Sequence, residues 1–133
     1  MVERPELENA AKGRHIQLMS EEVVVFVTCP ATASQEFAEK LIESNVAACV
    51  NILPSIKSVY KWEGKLTVDD GEALLIIKSS LSIWTDLESK IRAIHSYEVP
   101  EIICVPIVKG HEPYLKWLNQ SVLLQAQGER QKT

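Results

Sequence analysis

Five glycines in 133 residues, at positions 13, 64, 71, 110 and 128, are too few and too scattered to build a phosphate-cradling glycine loop. Three cysteines, Cys29, Cys49 and Cys104, stand far apart with no CxxC pair, so spacing supports neither a zinc knuckle nor a thioredoxin-type site, and a reducing compartment fits best. No apolar run approaches the ~20 residues of a bilayer span. Residues 1–21 carry Glu3, Arg4, Glu6, Glu8, Lys12, Arg14 and Glu21 and hold no apolar stretch of a secretory signal. Basic residues are outnumbered 14 to 18, for a net charge of -4, and no basic stripe overrides that balance, which argues against nucleic acid as a partner. Neither a GxSxG nucleophile elbow nor an HExxH helix is present. The expectation is a cytoplasmic, non-enzymatic protein with no membrane and no nucleic-acid partner.

What is present is enough apolar residue, 46% of the chain, to bury one ordinary core. The segment AACVNILPSIKSVYKWEGK, residues 47–65, leads into a hairpin: Val59, Tyr60 and Trp62 favour a strand, and Glu63-Gly64 supplies a short turn. The return arm, Leu66 to Ser79, contains Ala73-Leu74-Leu75-Ile76-Ile77, which is apolar on both strand faces. Asp69-Asp70-Gly71 marks a bulge or bend in that arm, and Pro54 marks an irregularity opposite. Before the hairpin come a strand at Val23 to Cys29 and a helix to about Asn45, opened by a Thr32/Gln35 capping box and buried through Phe37, Ala38, Leu41 and Ile42. After it, Trp84, Leu87, Ile91 and Ile94 set the stripe of a helix from Ser82 to His95, which Pro100 prevents from continuing. A strand at Ile102 to Val108 and a short third helix opened by Pro113 complete the order. Strand, helix, strand, strand, helix, strand predicts an α+β, ferredoxin-like βαββαβ sandwich with a long central hairpin and a C-terminal helix. The expected boundaries are an arm at 1–21, the domain at 22–122 and a frayed tail at 123–133. Two helices on one face of a doubly apolar sheet leave the other face for something outside the monomer.

Several residues are candidates for chemistry. His95 ends a helix, near Glu98 and Glu101, which reads either as a hydrogen-bonded histidine at a subunit seam or as an N/O site for a borderline divalent ion. Cys49 reads as a small buried hydrophobe whose reactivity would need a cation such as Lys78. Lys78, closing an apolar run, calls for a carboxylate, Glu72 or Glu101, in an intersubunit ion pair or a small-anion pocket. Tyr60 and Trp62 share a strand face and could stack a ligand ring or pack a seam. Trp84, Tyr114 and Trp117 read as core, and Asp69 with Asp70 as a solvated turn.

The motifs VTCP (27–30), AACVNILP (47–54), SVYKWEGK (58–65), LLIIKSS (74–80), HSYEVPEI (95–102) and YLKWL (114–118) together resemble the CutA divalent-cation tolerance family, over residues 23–121. The resemblance implies a homotrimer of ferredoxin-like subunits akin to the PII signalling proteins, with copper or another divalent ion, or a small ligand, held in clefts between subunits, and a role in the response to metal ions. The copper ligands proposed for bacterial members, a first-strand cysteine and two histidines after the second helix, fall on Val27, Ile94 and His95 here. Only His95 is retained; Cys29 lies two residues along the same strand face, and Ser96 replaces the family's proline. A PII-like module acting through a protein partner or a small anionic ligand is the alternative. An acid-base enzyme on an acylphosphatase-like scaffold would need His95, and an RNA-recognition domain would need a basic sheet that this sequence lacks.

Overall fold

The computed structural model describes the backbone of residues 21–132, and side chains as far as Val122. The expected N-terminal arm therefore lies outside the described residues, Glu21 excepted. The elements are β1 (Glu22–Pro30), a 3-10 turn (Ala31–Ala33), α1 (Ser34–Glu43), β2 (Cys49–Trp62), β3 (Lys65–Ser80), a 3-10 turn (Leu81–Ile83), α2 (Trp84–Ile94), β4 (Ile102–Pro106) and α3 (Glu112–Lys132). The four strands form one antiparallel sheet in the order β2-β3-β1-β4, the ferredoxin-like arrangement.

Strand alternation sorts the sheet into two unlike faces. Val25, Val27, Leu75 and Ile77 are fully buried and pair across β1 and β3, where they meet Phe37 and Leu41 of α1 and Leu87 and Ile91 of α2. On the other face Val24, Phe26, Leu74 and Ile76 are only half-buried, and Leu53, Ile103 and Val105 are exposed. Each of those seven positions is apolar, so the second face is built for burial that the described residues do not supply.

Local chemistry sets the corners. The expected capping box does not form: the first turn is 3-10 and Ser34 Oγ donates back to the Ala31 carbonyl at 2.8 Å. At the other end of α1, Asn45 takes φ 60, the Asn45 N–H reaches the Ile42 carbonyl (3.0 Å) and the Val46 N–H reaches Leu41 (3.3 Å), which is a Schellman closure with Asn where glycine is commoner. The β2–β3 turn is the two-residue type: Glu63 and Gly64 both have positive φ, 51 and 78, which matches the strand twist. β4 stops at Pro106, two residues short of the expected end, although the Ile107 N–H still donates to the Glu22 carbonyl.

The C-terminal helix corrects two expectations. It runs 21 residues to Lys132, where a short helix and a frayed tail were expected. It packs on β3 and β1 through the fully buried Leu118 and Val122, a spacing of four; Tyr114 extends that row one turn toward the helix start, where it is exposed, and Trp117 lies beside the row. Those two rings, 5.8 Å apart, are exposed and are not core; Trp84 does pack against the core.

Candidate functional site

The hairpin is longer than the sheet that carries it. β1 pairs with β3 only as far as Pro30–Glu72, so beyond Glu72 the strands β2 and β3 continue as a two-stranded arm to Trp62–Lys65. At the root of that arm two bulges offset each other. Between the pairs Leu53–Leu74 and Ile56–Glu72, β2 holds one extra residue; between Ile56–Glu72 and Ser58–Asp69, β3 does. Three residues apart on a regular strand, Asp69 and Glu72 would point to opposite faces, and the bulge at Asp70-Gly71 brings them to the same one. Asp69 Oδ1 accepts the Gly71 N–H at 2.9 Å, which holds the bulge.

Facing the arm is the segment that follows α2. His95 is nine-tenths buried, its Nε2 donates to the Thr28 carbonyl at 2.8 Å, and its Nδ1 accepts the Tyr97 N–H at 3.0 Å. These bonds assign the tautomer with the proton on Nε2. The ring also meets Phe37 edge-on at 5.4 Å and Tyr97 at 4.6 Å. Tyr97 then reaches across to the arm, its hydroxyl donating to Glu72 Oε2 at 3.0 Å. Burial first, and the Glu72 carboxylate second, push the Tyr97 phenol up to about 12.

Between arm and segment lies a cleft of about 440 Å³, with Thr28 on its floor, Asp69, Glu72 and Tyr60 on the arm side, and Tyr97 and Glu101 opposite. Of the sequence candidates, Tyr60 and Glu101 fall in this cleft. Trp62 sits two residues further toward the arm's tip, 65% exposed. Lys78 and Cys49 are directly paired across β3 and β2 at the other end of the sheet, opposite Val24 of β1. Within one chain Lys78 therefore meets neither Glu72, six residues along its own strand, nor Glu101, and among the described residues it forms no ion pair; the expected pairing between subunits involves a second chain. Asp69, Tyr97 and Thr28 were not singled out as site residues, and Glu72 was named only as a possible partner of Lys78; that pairing and the Asp-Asp-Gly bulge signal were the traces of them.

The metal candidates are accounted for within the chain. His95 uses both ring nitrogens, and the fully buried Cys29 has a thiol pushed up to about 11, by burial first and by Glu72 second. A metal-binding cysteine must be a thiolate. Among the described residues no three His, Cys, Asp or Glu side chains gather closely enough to hold an ion. The oxygen donors of the cleft suit hard divalent ions better than copper.

An antiparallel β2-β3-β1-β4 sheet with helices packed on it and a projecting arm defines a ferredoxin-like α+β domain. A family profile described as "CutA1 divalent ion tolerance protein" matches residues 23–121. The chain belongs to the CutA1 divalent ion tolerance protein family. It is 40% identical over 101 residues to the divalent-cation tolerance protein CutA of Thermus thermophilus, covering 75% of this chain and 97% of that one. It is 46% identical over 100 residues to the chloroplastic CutA of Arabidopsis thaliana, covering 74% of this chain but only 54% of that protein, so it spans about half the length of that relative. The crystal structure of CutA1 from Oryza sativa superposes with a TM-score of 0.72 at 46% identity, covering 76% of this chain and 93% of that one. Among the described residues no helix is long and apolar enough to cross a membrane.

Proposed function

We propose that the protein is a homotrimeric, non-enzymatic binding protein of the divalent-cation tolerance type, which takes a divalent ion or a small ligand in the cleft at the root of its arm and acts in the response to metal ions. The observation that carries this reading is the cleft itself: three carboxylates, two phenols and two hydroxyls beside a pair of bulges, with one wall formed by an arm that the described residues leave unsupported. Two-stranded hairpins are marginal in water, and Val59, Trp62, Leu66 and Val68 are exposed along this one. Neighbouring subunits covering the arm and the open sheet face would bury these groups and place the cleft at a subunit boundary.

Light scattering tests the assembly, and calorimetric titration of chelator-treated protein with Cu(II), Zn(II) and Mn(II) tests the ion. A monomeric mass with an intact fold sinks the trimer. Heat from Mn(II) or Zn(II) that is lost in Glu72→Gln supports an oxygen-donor site, and heat from Cu(II) alone that survives in that variant places metal elsewhere. A cytoplasmic location belongs to the same proposal; relatives are named chloroplastic and, in Archaeoglobus fulgidus, periplasmic, so fractionation of the source cells decides it. The exposed Trp62 and Leu66 at the arm's tip favour one second reading, a PII-like module docking a protein partner through that tip, for which tip substitutions would abolish partner capture while leaving ion binding unchanged.

A further inference from the structure

The cleft carries more negative charge than its own chain answers. Asp69, Glu72 and Glu101 line it; among the described residues no lysine or arginine does, and the ion pair found there is Lys40–Glu36 on α1, at 3.2 Å. Asp69 gives one oxygen to the Gly71 N–H and Glu72 gives one to the Tyr97 hydroxyl, so each keeps an acceptor oxygen uncommitted, and Glu101 makes no hydrogen bond among the described residues. A second observation is independent of charge. Thr28 is nine-tenths buried on the cleft floor, and its hydroxyl has no hydrogen-bond partner among the described residues. The residue is buried but its hydroxyl oxygen is not among the buried polar atoms left without a partner, so it opens onto the cleft, where it is available to whatever fills that space.

A bare divalent ion matches this space poorly. The acidic side chains do not converge to coordination distance, and about 440 Å³ is the volume of a small-molecule site. Tyr60 and Tyr97 add ring faces, whose quadrupole attracts a positive charge, and Val59 and Val99 add apolar wall for a carbon stem.

We propose that the cleft binds a small organic cation, one with protonated amines on a short aliphatic body, whose ammonium groups meet the Asp69, Glu72 and Glu101 carboxylates and the Thr28 hydroxyl while the body lies between the tyrosine rings. This rests on the reading of the cleft as the binding site and names the ligand class it would take.

The probe is 1,4-diaminobutane, with butane-1,4-diol as its uncharged counterpart and Mn(II) as the bare ion, each titrated calorimetrically into the full chain. The diamine is expected to bind and the diol to be silent. Glu72→Gln and Glu101→Gln should each weaken the diamine about tenfold, the scale of one charge-assisted hydrogen bond. Thr28→Val, close in shape, should weaken it about threefold, with circular dichroism confirming the fold. Equal binding of diol and diamine, or unchanged affinity in both glutamine variants, overturns the inference. If Mn(II) binds and the diamine does not, the organic-cation inference falls and the ion reading stands; if neither binds to a well-folded trimer, both fall.

Discussion

The two ends of the β2–β3 hairpin are made of similar residues and live in different surroundings. At the sheet end, Leu75 and Ile77 are fully buried between β1 and the two helices, and even the polar Ser79 is satisfied, its hydroxyl donating to the Val46 carbonyl at 2.7 Å. At the arm end, Val59, Trp62 and Leu66 are exposed, Leu66 by 74%, on two strands with no third beside them among the described residues. The first region is stable by its own packing. The second has the composition of a buried element without the burial, so its order depends on what covers it. The cleft lies where the two meet, and its shape is coupled to both.

Substitution should separate the regions most widely in the core. Leu41→Ala, at a fully buried position of α1, should cost ~2–5 kcal/mol in denaturant unfolding, since it leaves a cavity under the sheet. Trp62→Ala, at the arm, should change the unfolding of the isolated chain by no more than ~0.5 kcal/mol yet lower the mass seen by light scattering at micromolar protein. A Trp62 variant that keeps the trimer and loses as much stability as Leu41→Ala would show that the arm packs within its own chain.

His95 is the joint between the regions, and its replacement should come next in size. His95→Ala removes two hydrogen bonds and an aromatic contact with Phe37, and strands the Thr28 carbonyl, for an expected loss of ~2–3 kcal/mol. Because the lost bonds hold the Tyr97 segment, the variant should also weaken any ligand of the cleft. If unfolding is unchanged while ion binding disappears, the imidazole serves as a ligand and the internal bonds described here do not persist in solution. A smaller effect belongs to Ser79→Ala, where one buried hydrogen bond to the Val46 carbonyl is lost, at ~1–2 kcal/mol by thermal melting and with no change in the cleft. Weakened ligand binding in that variant would break the separation of the two regions.

The covered region was the legible one. The near-continuous apolar runs at Val23 to Cys29 and Ala73 to Ile77 mark strands with little solvent on either face, and the three-and-four spacing of Leu87, Ile91 and Ile94 marks a helix buried on one side, which pattern reading detects. The turn at Glu63-Gly64 was legible for a different reason, because only a few residue pairs accept positive φ. The cleft was half legible: Tyr60 and Glu101 stood out by type, whereas Asp69 read as a solvated turn because its facing depends on where one extra residue sits in each of two strands. Sequence showed that bulges were due but not that they would offset each other. Within one chain, register places Cys49 opposite Lys78 and sends Glu72 and Glu101 to the far end of the sheet, so the carboxylate expected for Lys78 would have to come from a neighbouring subunit. The C-terminal helix was underestimated because, past Leu124, no stripe marks it; the signal there was helix propensity in Gln125, Ala126, Glu129, Arg130 and Lys132, set against Gly128.

The least disruptive test uses pH, and it reads the seam of the cleft through Tyr97. In the folded chain its phenol is raised from 10.0 to about 12, by burial first and then by the hydrogen bond to Glu72. A raised folded value means that the fold favours the protonated phenol. Its contribution is fully present below the unfolded value of 10.0 and is lost as pH rises from there through about 12. Cys29 behaves alike one step lower, raised from 9.0 to about 11, so its contribution fades between those values. Melting temperature should therefore fall between pH 9 and 12 in the parent chain, and Tyr97→Phe should flatten the upper part of that fall while Cys29→Ser flattens the lower. At pH 8 the buried Cys29 should carry about a thousandth of its population as thiolate and resist a thiol reagent that modifies the half-buried Cys49 and Cys104. Rapid labelling of Cys29, or a pH profile that Tyr97→Phe leaves untouched, would mean that the seam between sheet and arm stands open, and that the cleft is walled by something other than the Tyr97–Glu72 hydrogen bond.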